Sequence, residues 1–288
     1  MELQIGPEII SSYKRLAYRA WYALAEFVDN STQAYFNNKA ALDKVFAAEG
    51  AGLMVEITTG EDRHGEFIRI EDNSIGMSEA ELQNAVYIGK PPLHTKGRSR
   101  YGLGLKTGAS WFGDLWTIST KKLGETTSHE VTVNVPKVAD GELDLPHQKK
   151  KADAGKHCTV IEIRKLHRNL SGRTLGRVKD YLRSLYRRDI SKGLLTLKVN
   201  GVALSWDDNI DARLLKLKNG KPAKEPFSFK VGRKHVSGWA GVLEKGSRRD
   251  AGFSIIQADR VINGWPDSWR SPMIENVEPQ RLKIVPHR

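Results

Sequence analysis

The sequence predicts an α+β protein built from two successive domains. Three observations carry that expectation. An apolar stripe at helical spacing opens the chain, strand-like alternating segments follow it to about residue 165, and the same mixture restarts beyond residue 166. At 288 residues the chain is comfortable for two domains, and 39% apolar residues suffice for a sizeable core. The expected domains are 1–166 and 167–288, with the crossover near residues 164–172.

The first element is a long helix over 13–38, in which Trp21, Leu24, Ala25 and Val28 share a face. Strands are expected at Leu53–Ile57 and Phe67–Glu71, joined by a polar turn. Ser78, with Glu81 three residues later, marks a capped helix start. Residues 89–104 are rich in Gly, Lys, Arg and Pro and predict a mobile loop, followed by a helix over Leu105–Phe112. Strands are expected at Leu115–Thr120, Glu130–Val135 and Thr159–Ile163, with 137–157 as an exposed basic loop. In the second half, Val178, Tyr181, Leu182, Leu185 and Tyr186 form one helix face. Leu194–Val199 and Val202–Trp206 flank Asn200-Gly201 as a hairpin. Further strands are expected at Phe227–Val231, Val236–Leu243 and Phe253–Ile256.

Composition narrows the function classes. A single cysteine, Cys158, excludes a disulfide framework and a cysteine-rich zinc site. The scattered histidines do not suggest a histidine-built metal site. No stretch is apolar enough to span a bilayer and the N-terminus lacks a signal-peptide pattern, so no membrane role and a cytoplasmic location (nuclear in a eukaryote) are expected. A net charge of +12 favours contact with polyanions, DNA among them; plain solubility is the competing reading.

Four short segments carry chemistry. In the opening helix, Glu26, Asp29, Asn30 and Gln33 fall at i, i+3, i+4 and i+7, a polar stripe on a helix that is otherwise apolar. Such a stripe faces a cavity or solvent; on a cavity, its carboxylate suits water activation and its amide oxygen suits magnesium. In Asp72-Asn73-Ser74-Ile75-Gly76-Met77, alternation puts Asp72 on the side of Ile68 and Ile70, where a carboxylate needs a donor such as the adenine amino group. A polar turn after a strand is the plain alternative. The segment 97–106 runs a Gly-containing loop into a helix, a place where backbone amides and cations suit phosphate, although it is neither a Walker A nor a dinucleotide fingerprint. Thr159 shares a strand face with Ile161 and Ile163 and offers a hydroxyl.

In this order and at these separations, the four segments resemble the GHKL superfamily of ATPases, which includes DNA gyrase B, the heat-shock chaperones of that fold, MutL, histidine kinases and the microrchidia proteins. Ala25–Ser31 resembles the N-box E-x-x-D-N, Asp72–Met77 the adenine box, Tyr101–Gly108 the lid motif in its microrchidia-like form, and Thr159 the last box. The resemblance covers residues 20–165. It implies a Bergerat-type α/β sandwich that binds ATP with Mg2+ and hydrolyses it. Glu26 would be the general base and Asn30 the magnesium ligand. Asp72 would read adenine, with Gly76 and Met77 shaping the base pocket. Gly102, Leu103, Gly104 and Leu105 would cradle phosphates at the lid, and Lys106 would add charge. Thr159 would support Asp72 through water. Two positions depart from the pattern: Ser74 and Cys158 stand where glycines are expected.

Residues 170–288 resemble, more loosely, the ribosomal-protein-S5-like transducer domain that follows the ATPase in gyrase-like and microrchidia-like proteins. Lys283 is a candidate for its phosphate-contacting lysine. The resemblance implies an ATP-dependent homodimer acting as a clamp on DNA or a partner complex, with Lys96, Arg98 and Arg100 facing phosphates or DNA. Two other readings compete: a histidine-kinase catalytic domain, against which no phosphoacceptor helix precedes the motif, and a basic binding module with an inactive nucleotide site.

Overall fold

The computed structural model describes residues 6–87, 104–207, 209–246, 250–269 and 282–287, the last segment by its backbone and the Ile284 side chain. The elements are α1 (Ile9–Ser12), α2 (Ala20–Asn37), α3 (Lys39–Glu49), β1 (Met54–Asp62), β2 (Gly65–Asp72), α4 (Glu79–Val86), α5 (Gly104–Phe112), β3 (Gly113–Lys121), β4 (Thr127–Asn134), α6 (Val135–Ala139), β5 (His147–Lys151) and β6 (Cys158–Leu166), then α7 (Gly172–Leu185), α8 (Arg187–Ser191), β7 (Thr196–Val199), β8 (Val202–Ala203), β9 (Lys224–Val231), β10 (Lys234–Val242), β11 (Gly252–Phe253), β12 (Ile255–Gln257), β13 (Arg260–Asn263) and β14 (Leu282–His287). The protein is therefore mixed α+β. Among the described residues no helix is long and apolar enough to cross a membrane.

The chain divides into two compact units. The first takes the described residues up to Gly176 together with Leu194–Leu204; the second takes Arg177–Gly193 and the described residues from Ser205 onward.

The first unit is built on an eight-stranded sheet in the order β5-β4-β3-β6-β2-β1-β7-β8. All its pairings are antiparallel except β1 with β7. Strict alternation sorts one face inward: Val55 and Ile57, Ile68 and Ile70, Ile161 and Ile163, Trp116 and Ile118, and Val131 and Val133 are all buried. α2 supplies Leu24, Phe27 and Val28 to the buried layer, and α5 supplies Trp111 and Phe112. The hairpin of β7 and β8 turns through Asn200 and Gly201, both at positive φ, as an Asn-Gly turn requires.

Three local expectations change. The opening helix is not continuous from residue 13: a single turn at Tyr13–Arg15 ends at Leu16, whose ψ of 139° is extended, and α2 begins at Ala20. The extended break lets the Trp111 indole N–H donate to Leu16 O (3.0 Å). α3 is an additional helix, closed by Gly50 in the left-handed conformation. Residues 137–157, expected as a loop, contain the end of α6 and the edge strand β5, whose five residues are all exposed. Exposed basic residues on an edge strand resist further pairing. The Ser78 cap forms as expected, with Ser78 and Glu81 satisfying each other's backbone N–H groups.

The second unit contains a six-stranded sheet with β13-β12-β14-β10-β9 in order and β11 pairing with β14. Its buried residues include Leu214, Leu243 and Ala251, with Ile256 and Val261 in a second cluster against Trp239.

Candidate nucleotide-binding site

α2 brings the predicted residues of the first motif to two neighbouring elements. Glu26 is half-buried, and its Oε1 accepts a hydrogen bond from the Tyr18 hydroxyl (3.1 Å). Its other oxygen lies directly against Gly104, the first residue of α5: a Cβ there would fall 2.0 Å from Oε2. A side chain at 104 would displace the Glu26 carboxylate from the helix start. That start is also where the dipole favours an anion. One turn on, Asn30 is half-buried, and its side chain has no hydrogen-bond partner among the described residues. Asp29 is buried.

At the next position Ser31 reaches the strand end. Its Oγ donates to Asp72 Oδ2 (2.5 Å). Asp72 Oδ1 accepts from the Ser74 N–H (2.9 Å), and the Thr159 backbone N–H also donates to this carboxylate. A carboxylate offers about four acceptor sites. Three donors leave one for a ligand. Asp72 is buried, and desolvation raises its pKa from 3.8 to about 6 against the opposing pull of these hydrogen bonds.

Cross-strand register puts Thr159 between Asp72 on one side and Thr120 on the other. The Thr159 hydroxyl lies 3.2 Å from Thr120 Oγ1, so it is the backbone N–H of Thr159 that meets Asp72. Thr120 Oγ1 in turn accepts from the Met77 N–H (2.9 Å). One polar row thus ties the strand ends to the turn that carries Gly76 and Met77.

Gly76 was expected to pass close to a flat base. Here it passes close to backbone: φ is 73°, and a Cβ would lie 1.9 Å from Lys121 O. Gly76→Ala is expected to cost about 3 kcal/mol or more, combining left-handed strain with a collision against main chain that cannot swing away. Urea denaturation of the variant checks this; a midpoint unchanged from wild type would contradict it.

The two positions that depart from the family pattern are accommodated. Ser74 is buried, its carbonyl accepts from His157 Nδ1 (2.9 Å), and its Oγ has no partner among the described residues. Cys158 is a half-buried free thiol whose pKa burial raises, and its carbonyl accepts from Thr120 Oγ1 (3.1 Å).

Lys106 is turned away from a role as a solvated cation. It is 2% exposed, and its Nζ donates to Ala85 O in α4 (3.0 Å). Burial lowers its pKa to about 8. Leu105 is half-buried in the first turn of α5. Gly102 and Leu103, with Lys96, Arg98 and Arg100, lie outside the described residues, as does the side chain of Lys283.

Sequence reasoning assigned no role to Tyr18, Ser31, Thr120 or His157. Ser31 stood beside Asn30 in the motif, and that adjacency was its only local signal. Thr120 and His157 are visible only once the register is known.

Magnesium fits this donor set. A magnesium ion held by one protein oxygen together with substrate phosphates and waters needs no cage of carboxylates. The half-buried, unengaged Asn30 amide, one turn from Glu26, is such an oxygen.

No curated protein matches the chain. The family model described as histidine kinase-, DNA gyrase B-, and HSP90-like ATPase matches residues 18–162, just over half of its length. That span holds Glu26 and Asn30 on α2, Asp72 and Thr159 at the ends of the central strands β2 and β6, and Gly76 in the turn after β2, and the chain belongs to the histidine kinase-, DNA gyrase B- and HSP90-like ATPase family.

Proposed function

We propose that this protein binds ATP in the first unit and hydrolyses it, with Glu26 as general base and Asp72 as the reader of adenine. The observation that carries this reading is the placement of both carboxylates by one helix: α2 sets Glu26 against the start of α5 and, through Ser31, fixes Asp72. Asp72 keeps one acceptor site for the adenine amino group. Glu26 sits half-buried where the terminal phosphate would lie near the start of α5, and its second oxygen takes a proton from the attacking water. Tyr18 holds the first oxygen, so the carboxylate is aimed before substrate arrives. Asn30 would hold magnesium, which when bound neutralises phosphate charge. Gly102, Leu103 and Gly104 would contribute backbone amides to the phosphates.

Phosphate release by the purified chain tests the activity. Its absence, with magnesium and ATP present and the nucleotide demonstrably bound, would leave a binding module instead of a hydrolase. Tyr18→Phe is expected to lower kcat about tenfold with KM nearly unchanged, because it frees the base without touching the nucleotide. An equal rise in KM would place Tyr18 in binding instead.

The finer reading is a nucleotide-gated clamp: the second unit acts as an S5-like transducer, ATP promotes a homodimer, and the basic chain engages DNA. Solution mass measured with a non-hydrolysable ATP analogue and with ADP checks the dimer. A monomer in both would sink the clamp. Stimulation of ATPase activity by duplex DNA, falling steeply with salt, is expected if DNA is the client.

A further inference from the structure

The second unit contains an open cavity of about 460 Å³ that the ATPase chemistry does not use, and every described residue lining it belongs to that unit. Three indoles line it: Trp206, Trp239 and Trp265. Trp206 and Trp265 meet edge to face, with ring centres 5.5 Å apart. Each indole carries a cation on its face. Arg187 lies 5.1 Å from the Trp206 ring centre, Arg183 4.8 Å from that of Trp265, and Lys224 4.8 Å from that of Trp239.

Among the described residues, Arg188 and Arg213 bring the lining cations to five, against two lining carboxylates, Asp207 and Asp250. Carboxylates hold most of the cations from one side: Asp180 on Arg183 (2.5 Å), Asp259 on Arg188 (3.1 Å), Asp250 on Arg213 (2.6 Å) and Asp211 on Lys224 (2.8 Å). A guanidinium has five donors and one carboxylate takes at most two of them, so Arg183 and Arg213 keep donors beyond Asp180 and Asp250. Arg187 keeps only 6% of its surface exposed.

The sign and the shape together select a ligand. Indole clusters elsewhere take quaternary ammonium groups, but here protein cations already cover the ring faces, and among the described lining residues cations outnumber carboxylates five to two. A guanidinium held over an indole, as Arg183 is over Trp265, loses little further freedom when it grips phosphate. The volume is in the range of small-molecule sites, and indole edges with Ile210 and Ile256 give a planar base apolar contact. We propose that this cavity binds a nucleoside 5′-phosphate, either free or at the end of a nucleic-acid strand, separately from the ATP site of the first unit.

Thymidine 5′-monophosphate is the probe, because it lacks the amino group that Asp72 would read. Titration of the full chain, followed by tryptophan fluorescence and by calorimetry, is expected to give saturable binding that Asp72→Asn leaves unchanged. The double variant Arg188→Gln, Arg213→Gln is expected to weaken it about tenfold or more. Both side chains are at least one-third exposed, so the fold tolerates the change. Trp206→Phe, which keeps a ring under Arg187, is expected to weaken binding less. A 5′-phosphorylated thymidine oligonucleotide that binds more tightly than both the mononucleotide and its 5′-hydroxyl counterpart identifies the strand end as the source; equal affinity for mononucleotide and phosphorylated oligonucleotide identifies the free nucleotide. Inorganic phosphate binding as tightly as the mononucleotide would overturn the proposal, and so would no binding, or binding lost in Asp72→Asn but kept in the double arginine variant.

Discussion

Asp72→Asn is expected to weaken ATP binding by about two orders of magnitude while leaving the protein at least as stable as wild type at pH 8. The reason lies in the donors around this carboxylate. Ser74 presents its backbone N–H to Oδ1, while the Ser31 hydroxyl sits on Oδ2, so an asparagine is expected to point its oxygen at Ser74 and its amide nitrogen toward Ser31. Ser31 tolerates this, because its hydroxyl also lies 3.1 Å from Phe27 O and can donate there while accepting from the new amide. Adenine does not tolerate it: its amino group then meets another donor in a buried place, at a cost of about 1–3 kcal/mol for the unpaired group on top of the lost charge-assisted bond.

Stability moves the other way. Folded Asp72 keeps its proton to about pH 6, while the unfolded chain releases it near 3.8. The folded state therefore binds more protons between these values. The resulting stability is fully present below pH 3.8 and is lost as pH rises through 6, amounting to about 3 kcal/mol at the full shift. Asparagine carries no such loss. Thermal melts at pH 8 combined with calorimetric ATP titrations separate the two effects; a variant that binds ATP normally would dismiss Asp72 as the adenine reader. Nucleotide binding by the wild type should also weaken as pH falls below 6, because the amino group favours the ionised carboxylate. The same titration in Asp72→Asn, which removes this group, corrects for protonation of the phosphates themselves.

Glu26→Gln is expected to lower kcat by about a thousandfold with ATP affinity retained. Glutamine preserves the size that fits against Gly104 and can still accept from Tyr18, but it cannot take a proton from water. Single-turnover hydrolysis beside equilibrium binding of a fluorescent ATP analogue distinguishes this from a folding defect. Wild-type turnover would remove Glu26 as the base. Gly104→Ala offers a complementary reading of the same contact: the added methyl displaces the carboxylate and should lower kcat although the base remains present.

What the sequence made legible was local. Glu26 and Asn30 share a helix face because 3.6 residues make a turn, and Asp72 faces the core because strands alternate. Ser78 and Glu81 announce their own cap. What it concealed depends on register and long-range packing. Ser31 meets Asp72 across 41 residues of chain, and Thr120 meets Thr159 across 39. Lys106 reads as a free cation in a Gly-rich run, and only the packing of α5 beside α4 shows it buried. The break ahead of α2 is met by the Trp111 indole, 95 residues from Leu16, which no window around residue 16 contains. The indole cavity draws on residues from 183 to 265, so no motif announces it.

The β7–β8 hairpin has a bearing on how this chain is made. The polypeptide leaves the first unit after Gly176, returns to it at Leu194, and departs again after Leu204. On the ribosome, the ATPase sheet is therefore incomplete until the codons for Leu194–Leu204 have been read. Until then Met54–Ile57 present the backbone groups that β7 later takes, an open template for a neighbouring nascent chain. A fragment cut after residue 166 would carry that exposed edge permanently, whereas one that continues through Leu204 would carry its own seal.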